Sequence, residues 1–274
     1  MADDRPPSPD REAHLRTVDV RTPNVARMYD YYLGGKDNFA VDREAAKKAL
    51  EAVPEAGAVM RQNRAFLGRA VRFLAGETGI RQFLDIGTGL PTQENTHEVA
   101  QRVAPEARVV YVDNDALVLT HARALLATDD QTIVVEGDVR RPEEILADPG
   151  LRAHIDLARP VAVLLFSMLH FVPDDADASL IVATIRDAIA PGSYLAISHG
   201  TALEEDRATG FTQVYERATS PMTTRSRDQI QRLLDGFDLV DPGLVVGQDW
   251  RPDAPPSAES RTGSWFYAAV GRKP

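Results

Sequence analysis

Phe83-Leu84-Asp85-Ile86-Gly87-Thr88-Gly89 runs from an apolar strand pattern into Asp-x-Gly-x-Gly, with a helical pattern after it. The two glycines permit a tight turn and let a ligand approach bare backbone, while Asp85 sets a carboxylate beside the pocket, where an amino acid's ammonium can meet it. An ordinary strand-to-helix turn has the same letters, so the surrounding chain must decide.

Outward from this stretch, short apolar runs alternate with helical ones. Strands are predicted at 83–86, 109–112, 132–135, 161–166 and 194–198, with helices at 92–103, 116–127 and 175–190 among the connections. That alternation is the sequence form of a parallel sheet covered on both faces, an α/β Rossmann-like fold. Pro191-Gly192 ends one helix and launches the fifth strand. The C-terminal part departs from the alternation: a helix at 227–234, an apolar segment at 237–246, a loop holding Pro252, Pro255 and Pro256, expected to be mobile, and a strand at 264–270. These read as a closing hairpin with an antiparallel last strand, or alternatively as two edge segments that do not pair.

Before the sheet, residues 1–20 are rich in Pro, Asp, Glu and Arg and read as a disordered leader. A helix is expected from the Thr22-Pro23 cap to Gly34-Gly35, carrying Tyr29, Tyr31 and Tyr32, and two more at 42–53 and 54–75 with Val59, Phe66, Ala70 and Phe73 at helical spacing. The expected organisation is a leader (1–20), a helical extension (21–80) and one sheet domain (81–274).

With 274 residues, 43% of them hydrophobic, the chain can bury a substantial core. Its 31 Lys and Arg against 41 Asp and Glu leave a formal charge of −10, which works against a phosphate-rich partner, so nucleic acid is not expected. Arg61, Arg64, Arg69 and Arg72 read first as a solvated helix face. The absence of cysteine excludes disulfides, thiolate ligands and a cysteine nucleophile. No stretch has the order of a signal peptide or the length of a membrane span, so a soluble, cytoplasmic protein is expected. His14, His97, His121, His154, His170 and His199 are scattered, without a pair at metal-ligand spacing, and no metal is expected.

Further polar residues stand at the ends of successive predicted strands. Asp113 closes Val109-Val110-Tyr111-Val112-Asp113, where an acid can accept both hydroxyls of a ribose, although Asp113 or Asp115 also suits a plain helix cap. Glu136-Gly137-Asp138-Val139 follows the third strand and Phe166-Ser167-Met168-Leu169-His170-Phe171-Val172 the fourth. Asp138 alone is equally a turn residue and His170 alone a packed histidine. Together they line the crevice in which open α/β sheets bind ligands.

With these four sites in place the chain resembles the class I S-adenosylmethionine-dependent methyltransferases over about residues 81–272. The string Arg27-Met28-Tyr29-Asp30-Tyr31-Tyr32-Leu33-Gly34-Gly35-Lys36-Asp37-Asn38-Phe39, with Asn63-Arg64-Ala65-Phe66, narrows the resemblance to a bacterial S-adenosyl methyltransferase family. The resemblance implies S-adenosylmethionine as cofactor, with Asp85, Gly87 and Gly89 around its methionine part, Asp113 and Asn114 at the ribose, Asp138 and Val139 at the adenine, and Ser167 and His170 near the sulfonium. Leu90-Pro91 stands where many members have a third glycine. Arg64 or Lys36 is a candidate partner for the methionine carboxylate. If the acceptor is a hydroxyl, His170 is the first candidate base, followed by Tyr29 and Tyr32. A small-molecule acceptor is expected, since Ser167-Met168-Leu169-His170 replaces the Asn/Asp-Pro-Pro-Tyr/Phe motif of adenine methylation in DNA. Two rivals remain at this level: a cofactor-binding sensor without turnover, and a nicotinamide-dependent oxidoreductase, whose third fingerprint glycine would fall at Thr92.

Overall fold

The computed structural model describes residues 18–91, 94–126, 130–201, 205–255 and 265–274. Thus 1–17 of the expected leader, the start of the helix predicted at 92, the end of that predicted to 127, Pro256 and Ser264 lie outside the described residues.

The strands β1 (Gln82–Ile86), β2 (Arg108–Asp113), β3 (Thr132–Glu136), β4 (Ala162–Phe166), β5 (Tyr194–Gly200), β6 (Asp238–Leu239), β7 (Val245–Val246) and β8 (Phe266–Arg272) form an eight-stranded sheet. Its order is β3-β2-β1-β4-β5-β8-β6, with β7 also on β8. The first five strands pair in parallel; β8 runs antiparallel to β5, β6 and β7. The edge segments therefore do pair: one strand, β8, offers its free edge to both. Order reverses between β1 and β4, and that switch point opens the crevice at their carboxyl ends.

Alternation along the buried strands divides the core in two. Phe83, Val109, Tyr111, Ala162, Leu164 and Ala196 point to one face, Leu84, Val110, Val112, Val163, Leu165 and Ile197 to the other. Three helices precede the sheet: α1 (Val25–Tyr32), α2 (Ala40–Ala52) and α3 (Ala56–Gly76). α3 lays Phe66, Ala70, Val71 and Leu74 on the first face, with Phe66 edge-on to Phe166 at 5.3 Å. The N-terminal helices are thus a layer of the core, and α1 is carried with them over the crevice.

α1 begins two residues later than the Thr22-Pro23 reading. Asn24 is its cap, its side-chain oxygen accepting from the N–H groups of Ala26 and Arg27 at 2.9 and 3.1 Å. Its turn into α2 is pinned by a buried ion pair, Arg27 Nε to Asp42 Oδ2 at 2.9 Å, both side chains 1% exposed or less. Asp42 also accepts from the backbone N–H of Asn24 and of Phe39, and Arg27 donates to the carbonyls of Asp19 and Thr22.

The connections include α4 (Thr96–Val103), α5 (Ala116–Leu125), α6 (Pro142–Ala147), α7 (Pro149–His154), α8 (Asp175–Ala188) and α10 (Arg227–Leu233). α9 (Glu205–Tyr215) has no counterpart among the predicted helices, because Thr209, Gly210 and Thr212 are weak helix formers. Tertiary packing overrides that propensity: a Cβ on Gly210 would stand 3.1 Å from the Ala52 Cβ, so the glycine lets α9 close on α2. No described helix is long and apolar enough to cross a membrane.

Candidate functional site

At the end of β1, the N–H groups of Gly87 and Thr88 both donate to the Val112 carbonyl, at 2.8 and 3.2 Å, which folds the glycine turn back onto β2. Gly87 has φ +78°, and a Cβ there would fall 2.1 Å from the Met168 Sδ. Gly87→Ala is therefore expected to cost about 2 kcal/mol in denaturant unfolding, mostly from the left-handed backbone, with Met168 forced to move. Gly89, at φ +67°, has no atom within 4 Å of where a Cβ would be, so its backbone faces open space.

Two buried carboxylates flank that turn. Asp85 accepts from the Thr96 hydroxyl at 2.7 Å, and Asp113 accepts from the Gly89 N–H at 2.9 Å through Oδ2 and the Asp115 N–H at 3.0 Å through Oδ1. Burial pushes both acids up to about 6; Thr96 and Arg64 oppose this at Asp85, and backbone N–H groups oppose it at Asp113. Folded pKa values raised above the unfolded ones favour the native state below about pH 4, a contribution lost as pH rises through 6. The site holds two acids under strain of desolvation, which a cationic or hydroxyl-bearing ligand relieves. Asp115 caps α5 with Oδ1 and accepts from Asn24 Nδ2 at 2.8 Å with Oδ2, tying α1 to the crevice rim.

At the end of β3, Asp138 is already engaged. Arg140 reaches both of its oxygens, at 2.6 Å in the shortest contact, and its backbone N–H adds another. Burial raises the Asp138 pKa, but the Arg140 bonds outweigh it and hold the acid below its ordinary value, with Asn114 contributing a further bond. Arg140 was not legible as a site residue, since nothing in the letters shows that its side chain turns back two positions.

The end of β4 meets the helical layer. Ser167, at φ +51°, takes its place through bonds from its N–H to the Ser198 hydroxyl and carbonyl. Asn63 on α3, 4% exposed, donates from Nδ2 to Ser167 Oγ at 2.8 Å and to the Tyr29 hydroxyl at 3.1 Å; Tyr29 donates on to the Met60 carbonyl. This chain spans α1, α3 and β4, and sequence reading named Asn63 only as part of a family string.

His170 lies on the same wall, its Nδ1 accepting from the Gly200 N–H at 3.3 Å. Burial first, then the neighbouring His199 and Arg225, pushes its pKa well below the usual histidine value. The neutral ring therefore carries its proton on Nε2, and its basic nitrogen is occupied: the geometry suits a hydrogen-bond donor better than the expected base. Arg225, 1% exposed, holds this loop by donating to the carbonyls of Leu169 and Val172, to Asp175 and to His199 Nε2.

One cavity of about 390 Å³ joins these groups. Asp85, Gly87, Gly89, Asp113, Asn114, Asp138, Val139, Ser167, Arg64, His170 and Tyr29 all line it. Tyr32 and Lys36 do not. The Tyr32 hydroxyl is 3.3 Å from that of Tyr215 in the buried interior, because packing against Phe211 turns it inward, while Lys36 sits in the exposed turn after α1. The remaining wall includes Phe171, quoted above only within the string after the fourth strand, and Phe211, Tyr215, Met222 and Trp265, which sequence reading missed.

A family model described as S-adenosyl methyltransferase matches residues 11–274. A structure from Thermobifida fusca YX, provisionally assigned as a methyltransferase, shares 44% identity with a TM-score of 0.87, covering 93% of this chain and 96% of that one. A DUF574 family protein from Streptomyces avermitilis MA-4680 is also 44% identical, with a TM-score of 0.89 and coverage of 93% and 99%. The N-methyltransferase NodS from Bradyrhizobium japonicum shares the fold at 14% identity and a TM-score of 0.50, covering 80% of this chain and 99% of that one. Comparison with curated proteins returns no match.

Proposed function

The chain belongs to the S-adenosyl methyltransferase family, whose cofactor is S-adenosylmethionine, and on that premise we propose that it methylates a small molecule enclosed beneath its N-terminal helices. The observation that carries this reading is the single cavity in which cofactor-type acids at the ends of β1, β2 and β3 share a space with an aromatic wall, under α1. A concave cavity partly covered by α1 suits a small acceptor better than a polymer.

The residues present fit the cofactor: Gly89 leaves a cradle that a side chain would fill, and Asp85 and Asp113 are buried acids whose ionised forms are disfavoured by desolvation despite the bonds they accept. In the proposed arrangement Asp85 meets the ammonium, Arg64 the carboxylate, Asp113 and Asn114 the ribose, Asp138 and Val139 the adenine, and Ser167 and His170 flank the reacting centre. When bound, the cofactor supplies a methyl carbon activated by positive sulfur. The protein's part is then to align the acceptor, exclude water and donate from His170 Nε2, without a protein base. Residues 21–80 act as the cap and 81–274 as the cofactor domain.

Incubation with methyl-labelled cofactor and a cell extract tests the proposal. Label in the small-molecule fraction supports it; label only in protein or nucleic acid overturns it, and cofactor binding without transfer identifies a sensor.

Cofactor affinity should depend on pH with a defined sign. Asp85 must be ionised to pair with the ammonium, so affinity is expected to fall about tenfold from pH 7 to pH 5 as an acid of pKa about 6 is protonated. Titration calorimetry with S-adenosylhomocysteine reads this directly, and a flat profile removes Asp85 from that role. Arg140→Ala is expected to tighten binding by up to about fivefold, because the exposed Arg140–Asp138 pair, worth about 1 kcal/mol at most, competes with adenine for the carboxylate. Weaker binding in the same assay would instead make Arg140 a cofactor contact.

A further inference from the structure

We propose that the acceptor is an uncharged, largely apolar ring compound whose O–H or N–H docks on the side-chain oxygen of Asn63. The inference rests on the methyltransferase reading and names the class of substrate within it.

Charge is distributed unevenly around the cavity. Arg64, Asp85, Asp113, Asp115, Asp138 and Arg140 cluster with the strand ends where the cofactor is placed. Asp30 also lines the cavity, but its carboxylate is held by Asn38 Nδ2 at 2.7 Å and the Asp37 N–H at 3.0 Å. The rest of the described wall is formed by Tyr29, Met60, Phe171, Phe211, Tyr215 and Trp265 with small and hydroxyl-bearing residues, and it holds no carboxylate, lysine or arginine. Phe171 and Phe211 stand 5.9 and 5.2 Å from Tyr215, centroid to centroid, making an aromatic face for a flat partner. Among the described residues of this wall a carboxylate or ammonium on the acceptor would find no free counter-charge, in surroundings that already keep His170 and His199 neutral.

Within the described part of that wall one fully buried side-chain oxygen has no partner. The Asn63 carboxamide oxygen is buried and accepts no hydrogen bond. Tyr29 donates to the Met60 carbonyl and accepts toward Asn63, whose amide presents its Nδ2 to Tyr29 and Ser167. Both N–H groups are then used and Oδ1 is left with a lone pair beside the end of β4, where the acceptor must meet the methyl group. A buried acceptor atom without a partner carries a desolvation penalty, which a donor on the ligand removes. An amide oxygen is too weak a base to take the proton, so Asn63 orients the acceptor. On transfer, the acceptor's lone pair bonds to the methyl carbon, the carbon–sulfur pair stays on sulfur, and the displaced proton is lost to bulk solvent outside the reacting centre.

The test uses the full chain saturated with S-adenosylhomocysteine, whose own binding is measured first; if that fails, the parent reading fails rather than this one. Calorimetry then compares 2-naphthol, naphthalene and hydroxynaphthoate. The expected result is 2-naphthol binding about tenfold tighter than either, since naphthalene leaves Asn63 unpaired and hydroxynaphthoate buries a charge. Asn63→Leu should abolish the preference for 2-naphthol over naphthalene while S-adenosylhomocysteine affinity changes by less than about threefold. No binding of 2-naphthol, equal binding of hydroxynaphthoate, or a preference that survives Asn63→Leu overturns the proposal. Should the variant not fold, the three-compound comparison on the unaltered chain decides it.

Discussion

Asp113→Ala is expected to weaken S-adenosylhomocysteine binding by at least about 100-fold, because hydrogen bonds to a buried charged group contribute roughly 1.5–3 kcal/mol each and the ribose offers two. The loss has a second source. Asp113 already accepts the N–H groups of Gly89 and Asp115, so its removal also releases the glycine turn and the start of α5 before any ligand arrives. Asp113→Asn separates the two: it keeps the size and one acceptor, and its loss should fall between wild type and alanine. Titration calorimetry gives the affinities, and thermal unfolding shows whether the free proteins remain folded. Affinity within threefold of wild type for a folded Asp113→Ala protein would remove this residue from the ribose site.

The largest effect on stability is expected at Arg27. Arg27→Met should lower the unfolding free energy by about 3–5 kcal/mol, since it leaves the Asp42 carboxylate buried without its counter-charge. The pair itself need not stabilise the fold. Two charges taken from water lose about as much as their attraction returns, so the double variant Arg27→Met with Asp42→Leu should recover a substantial part of the loss. Asp42 also accepts from the Asn24 and Phe39 N–H groups, which the double variant orphans, so recovery will be incomplete. Equilibrium denaturation of the single and double variants checks both statements, and additive losses would refute the coupling. Because Asn24 also binds Asp115, loosening this hub should also be felt at the cofactor site.

Much of the sheet was legible because buried parallel strands are continuous apolar runs: β4 and β5 stand within two residues of their predicted ends. Helix starts were less legible. Thr22 and Asn24 are both good caps, and only the hydrogen bonds of Asn24 decide between them. α9 escaped because its glycine lowers helix propensity while serving a close helix crossing that no local pattern records.

The candidate site divides along the same line. Residues placed by strand order, Asp85, Asp113, Asp138 and Ser167, were readable because the end of each parallel strand opens on one crevice. Asn63, Tyr215 and Trp265 were not, since each reaches the cavity from a separate part of the chain by packing, and Arg140 was not because its side chain folds back onto Asp138 two positions earlier. The tertiary structure also changed roles within the named set. His170 was readable as a histidine after a strand, but only the Gly200 N–H against its Nδ1 shows which nitrogen is taken.

By itself, then, the order of residues determined the α/β architecture, because periodicity and glycine turns are local properties of the chain, and its motifs, by resemblance, pointed to the family and the cofactor. The tertiary structure alone decided which side chains share a cavity and which protons and lone pairs remain for a ligand. Those depend on distances between segments far apart in sequence, and on burial that raises the Asp85 and Asp113 pKa values only after the helices have closed over them.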